Sequence, residues 1–179
     1  MKKIIFISIA LILIVGIALK PKKEMKANFL DSEFDQIEKN IAFRDILNKE
    51  VSKVSVAWHL DHTLLTINKI YDSLSVSNTA NYKPKFNFGQ LMMFSFNKIP
   101  RGRAQSPDVV SPPEIIVTDS IYLHLEEAKK NLKLLNSLPE NANFTHPFIG
   151  QLNRKQTKRF LKIHTNHHLK IINDILKQQ

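Results

Sequence analysis

Apolar positions along residues 30–177 recur at three- and four-residue intervals, the spacing that places side chains on one face of an α-helix. No stretch sustains the period-two alternation of a half-buried strand. Leu30, Phe34, Ile37 and Ile41 follow the helical spacing around the cap-like pair Asp31-Ser32 and predict a first helix to about Asn48. Val56, Leu60, Thr63, Leu64, Ile67, Tyr71 and Leu74 form one stripe and predict a second helix from about Val54 to Leu74. A third is predicted over Asp119 to Ser137, carrying Ile121, Leu125, Leu132 and Leu135. The last runs from about Arg154 to Leu176 on Leu161, Ile163, Ile171, Ile172 and Ile175.

The connections differ in length. Asn78 to Pro113 contains Pro84, Pro100, Pro107, Pro112 and Pro113 and reads as a long surface crossover, with room for a short helix over Phe88 to Asn97. Residues 139–152, with Pro139, Pro147 and Gly150, read as a loop. Four long helices with one long crossover describe an all-α fold, a four-helix bundle.

Ahead of these elements lies a segment of another kind. Ile4 to Leu19 is a sixteen-residue run interrupted only by Ser8 and Gly16, with Lys2 and Lys3 before it and Lys20, Lys22 and Lys23 after it. As a helix it would span about 24 Å, against about 30 Å for a hydrocarbon core. This suits a short single-pass N-terminal membrane anchor over residues 1–26, ahead of a bundle domain over 27–179. A signal cleaved near Gly16-Ile17-Ala18, with export of the domain, is the alternative reading.

Composition narrows the chemistry. The 179 residues include no cysteine, which excludes disulfides, zinc-thiolate sites and cysteine nucleophiles. Four glycines are too few for a phosphate-cradling loop, and 43% apolar with 23% charged residues is ordinary globular usage. The net charge of +10 would suggest nucleic acid, but six lysines against Glu24 in residues 1–26 account for half of it. Much of the remainder sits in the crossover, at Lys83, Lys85, Lys98, Arg101 and Arg103, where a solvated surface or anionic lipid headgroups explain it. No nucleic-acid partner is expected.

The histidines carry the candidate chemistry. His164 and His168 are four apart in the last helix, on the side of Leu161, Ile171, Ile172 and Ile175 that should face the core. Burying two imidazoles among isoleucines costs free energy unless each lone pair finds a partner. A divalent metal, zinc, nickel or iron, is one such partner, and neighbouring polar groups are the other. A metal would need a third ligand, from His59 or His62 in the second helix. On the helical wheel His59 borders the apolar stripe and His62 lies nearly opposite it, beside Trp58 and Leu65, so periodicity leaves the choice open.

The segment around His59-Leu60-Asp61-His62 and the stretch Thr145-His146-Pro147-Phe148-Ile149-Gly150-Gln151-Leu152, leading into His164-Thr165-Asn166-His167-His168-Leu169, resemble the DinB-like superfamily. They are most similar to its branch with a His-Pro-Phe-x-Gly-x-Leu turn, and Lys98-Ile99-Pro100-Arg101-Gly102 looks like that branch's crossover. The resemblance covers about residues 30–177. It implies a four-helix bundle holding a divalent metal on one histidine of the second helix and two of the last, which fall here on His62, His164 and His168. It implies also that His59, His146 and His167 line the pocket or support the ligands, with His146 able to approach the open face. Asp61 and Asp119 are candidates to orient a ligand imidazole. Lys170-Ile171 departs from the polar Arg or Gln of many relatives.

The implied activity is that of a thiol-dependent transferase or a hydrolase, in which the metal activates a low-molecular-weight thiol or water. No catalytic base stands out. A membrane-tethered binding or structural bundle without catalysis, its histidines satisfied internally, is the alternative. A homodimer is compatible with either.

Overall fold

The computed structural model describes Met25 and residues 28–102 and 105–177, so the expected membrane segment over 1–26 lies almost wholly outside the described residues. Among the described residues no helix is long and apolar enough to cross a membrane. The fold is mostly helical. The described residues form five helices, α1 (Asp31–Asn40), α2 (Val56–Ser75), α3 (Phe88–Phe96), α4 (Thr118–Leu135) and α5 (Arg154–Lys177), and one antiparallel hairpin, β1 (Asn143–His146) with β2 (Gly150–Asn153).

The long helices match their apolar stripes. Leu60, Leu64 and Ile67 of α2, Ile121, Leu125 and Leu135 of α4, and Leu161, Ile172 and Ile175 of α5 are almost completely buried in one core. Leu30, Phe34, Ile37 and Ile41 close it from the side of α1. Near the centre α2 is buried on two sides, since it packs on both α4 and α5. Its inward positions therefore include His59, Asp61 and His62 as well as the leucines.

Two elements depart from expectation. The first helix does not run to Asn48; it stops at Asn40, tightens into a 3₁₀ turn over Ile41–Phe43 and then unwinds. The unwound carbonyls of Ile46 and Arg44 accept from the backbone N–H groups of Val56 and Ala57, at 3.0 and 2.8 Å, satisfying donors that the first turn of α2 would leave unpaired. The Arg44 side chain donates to Thr118 Oγ1 and to the Ile116 carbonyl, tying the same segment to the start of α4. The second departure is residues 139–152, which form the hairpin rather than an irregular loop. Phe144 pairs with Leu152 and His146 with Gly150, whose φ of 74° is available to glycine at little cost.

The crossover contributes α3 and a 3₁₀ turn over Asp108–Val110. Asn87 caps α3, its side-chain oxygen accepting from the Gln90 N–H at 2.9 Å. The later turn packs against α2, with Val110 buried.

Candidate metal centre

α2 and α5 lie side by side, and three imidazoles meet between them. His62 of α2 and His164 and His168 of α5 each present a ring nitrogen, and these nitrogens all lie within 4.8 Å of one another. The ring centroids are 4.7 Å apart for His62 and His168, 5.1 Å for His62 and His164, and 4.6 Å for His164 and His168. Nε2 of His164 and Nε2 of His168 are separated by 3.3 Å. Two nitrogens each about 2.0–2.1 Å from a tetrahedral cation stand about 3.3–3.4 Å apart. The pair is thus spaced like two corners of such a polyhedron.

The surroundings specify which nitrogen is bare in two of the three rings. His62 Nδ1 donates to the Val110 carbonyl at 2.8 Å, with Ser106 Oγ a further neighbour at 3.2 Å, which leaves Nε2 as a lone pair. His168 is reached through a longer chain. Ser52 Oγ donates to the Val54 carbonyl at 3.0 Å, and His59 Nε2 lies 2.9 Å from Ser52 Oγ. His59 Nδ1 in turn lies 3.0 Å from His168 Nδ1. With the Ser52 proton on Val54, His59 must donate through Nε2, accept through Nδ1, and receive the Nδ1 proton of His168. His168 Nε2 is then a lone pair facing the cluster. His164 Nδ1 is buried without a hydrogen-bond partner, although the residue as a whole keeps some exposure.

Burial also keeps the rings neutral. His164 and His168 are held well below the ordinary imidazole value, chiefly by burial and then by neighbouring histidine charge. Burial lowers His62 too, against the opposing pull of the Val110 carbonyl and the Asp61 charge. His59 is lowered to about 4 by burial and then by the charges of His62, His167 and Arg101. Three neutral imidazoles with convergent lone pairs need not release a proton to bind a divalent metal at neutral pH, and the donor set fits one.

The other candidates take distinct places. His59 stands against His168, Nδ1 to Nδ1. His167 is half-buried beside His168, with ring centroids 5.1 Å apart, and burial and then Arg101 bring it to about 4. His146 Nδ1 accepts from the Phe148 N–H at 3.2 Å, its ring sits among Phe144, Phe148 and Phe160, and its charge acts on His164. Asp61 orients no ligand imidazole; its Oδ1 accepts from His124 Nδ1 of α4 at 2.6 Å. Asp119 is exposed in the first turn of α4.

Ser52, Ser106, Val110 and Trp58 were not singled out in the sequence, yet the last three touch His62 and Ser52 reaches His168 through His59. Trp58 stacks on His62, with centroids 4.8 Å apart and planes at 16°. Its spacing of four from His62 was a usable signal. Nothing local marks the Val110 carbonyl, which arrives through the crossover.

No family model matches the chain, and comparison with curated proteins and with solved structures found no match.

Proposed function

We propose that the chain is a divalent-metal-dependent enzyme of the DinB-like type, a four-helix bundle that holds zinc, nickel or iron on His62, His164 and His168. The observation that supports this reading is the convergence of three neutral ring nitrogens, two of them with tautomers set by hydrogen bonds from outside the cluster. His62, His164 and His168 would hold the cation, which would supply Lewis acidity to a water or low-molecular-weight thiol and lower its pKa. A thiol substrate must come from outside, because the chain has no cysteine.

The protein's own groups orient and shield. The Val110 carbonyl aims His62, and the Ser52–His59 chain aims His168. Trp58 covers one face of His62. Asp61 is engaged by His124, so a general-base role for it has no support; the reaction class that needs least from the chain is thiol transfer, with hydrolysis second. In the same reading residues 4–19 tether the domain to a membrane.

Thermal unfolding of chelated and metal-loaded protein, with and without low-molecular-weight thiols, tests the proposal. Metal should raise the Tm and thiol should raise it further, with both effects lost in His164→Ala combined with His168→Ala. Indifference of the wild type to metal, chelator and thiol would favour the bundle without catalysis.

A further inference from the structure

Six of the nine residues of α3 are apolar, yet none of the nine is buried. Met93 and Phe94 lean on the core, and Arg159 stacks over the Phe94 ring at 4.7 Å. The opposite stripe has no partner among the described residues. Phe88, Met92 and Phe96, at successive intervals of four, are 65%, 38% and 62% exposed. Phe86, just before the helix, is 82% exposed, and Phe148 at the hairpin tip is 59% exposed. The Phe148 carbonyl accepts from Asn87 Nδ2 at 3.5 Å, so the hairpin tip adjoins the start of α3. Together these side chains expose on the order of 500 Å², the size at which an apolar patch marks an interaction surface.

The segment that carries α3 holds charge of one sign. No carboxylate occurs between Asp72 and Asp108, whereas Lys83, Lys85, Lys98, Arg101 and Arg103 all fall in that interval. Lys83, Lys85 and Lys98 are exposed beside the aromatic residues. Met25, the first described residue, lines one cleft together with Asn97, the residue that ends α3, and with Lys155 and Arg159. The sixteen-residue apolar run ends at Leu19, six residues before Met25.

We infer that the Phe86–Phe96 face of α3 and the tip of the hairpin form a docking surface for an anionic bilayer. The phenylalanines and Met92 enter the interfacial layer while the lysines meet the headgroups. A bilayer takes apolar side chains without shape complementarity, and its anionic surface contributes about 1 kcal/mol per nearby Lys or Arg. A patch this small binds weakly alone, but a tether entering beside it makes docking intramolecular. The inference rests on the reading of residues 4–19 as membrane-inserted and is independent of the metal chemistry.

The absence of cysteine allows a single fluorophore at Met92→Cys, or at Leu123→Cys on the exposed face of α4 as a control, in the full chain on vesicles with about 30% phosphatidylserine. The inference expects lipid-borne nitroxide to quench Met92→Cys about threefold more than Leu123→Cys, iodide to do the reverse, and Phe88→Asp with Phe96→Asp to abolish the difference. Co-flotation of the chain with vesicles but equal iodide quenching at both sites would overturn the docking surface and leave the tether standing. Failure to co-float would overturn both. Shielding of Met92→Cys from both quenchers would show that protein covers the patch, residues 4–19 or a second copy, and would also overturn the inference.

Discussion

His146 offers a sharp test of how the hairpin constrains a titrating group. Its ring lies 5.0 Å from Phe160 and 6.0 Å from Phe148 between centroids, and its Nδ1 uses a lone pair to accept from the Phe148 N–H. Burial lowers it from the ordinary 6.5 to about 4. A base with a depressed folded-state value is protonated first in the unfolded chain. Stability is therefore lost as pH falls below about 6.5, and the loss is complete near 4. At pH 5 the linkage amounts to about 2 kcal/mol, reduced to about 1–2 kcal/mol because the ring keeps some contact with water. His146→Asn retains an acceptor for the Phe148 N–H but does not titrate. Its packing loss is the same at both pH values and cancels in the difference. Urea unfolding of chelated protein, followed by circular dichroism at pH 7.5 and pH 5, should show the wild type losing about 1–2 kcal/mol more than His146→Asn. Parallel losses in the two proteins would refute the reasoning.

Three further outcomes follow from the contacts around the core. Ser52→Ala or His59→Phe should weaken metal binding about 10- to 100-fold in a competition titration while leaving the helical content unchanged, because His59→Phe removes the acceptor of the His168 Nδ1 proton and Ser52→Ala removes the acceptor that fixes the His59 tautomer. His124→Ala should cost about 3 kcal/mol in urea unfolding, since it strands the buried Asp61 carboxylate, whose Oδ2 already has no hydrogen-bond partner; adding Asp61→Leu should recover part of that loss. Burial disfavours ionised Glu33, but hydrogen bonds from Lys162, Ser32 and Asn166 and then the Lys162 charge outweigh it and hold the carboxyl below its usual value. Its contribution is present at neutral pH and lost in acid, so Glu33→Gln should flatten the acid limb of the stability profile.

The stripes of α2, α4 and α5 were legible because a core-facing helix repeats its apolar residues often enough to set both type and bounds. The expected bounds Val54 and Leu74 fall within two residues of the observed Val56–Ser75 for that reason, and the His164/His168 pair could be placed on the core side from spacing alone. His62 could not. A helix buried on two sides has no single polar face, so the wheel set His62 against the stripe while the fold turns it toward α5. Only the resemblance selected it. The hairpin escaped notice because each strand has four residues, which gives the alternation too few positions to register. The early end of α1 was invisible for a different cause: the apolar spacing continues through Ile41, and what stops the helix is the demand of the first turn of α2 for the carbonyls of Arg44 and Ile46. The Val110 carbonyl lies 48 residues from His62 and meets it only through the path of the crossover.

The central claim is that His62, His164 and His168 together bind a metal, and elemental analysis tests it most directly. Purified protein loaded with zinc, nickel or iron and then desalted should retain about one metal per chain, and His164→Ala combined with His168→Ala should retain less than about 0.2. A wild type that retains less than about 0.2 of every metal, or a double variant that retains as much as the wild type, would contradict the account.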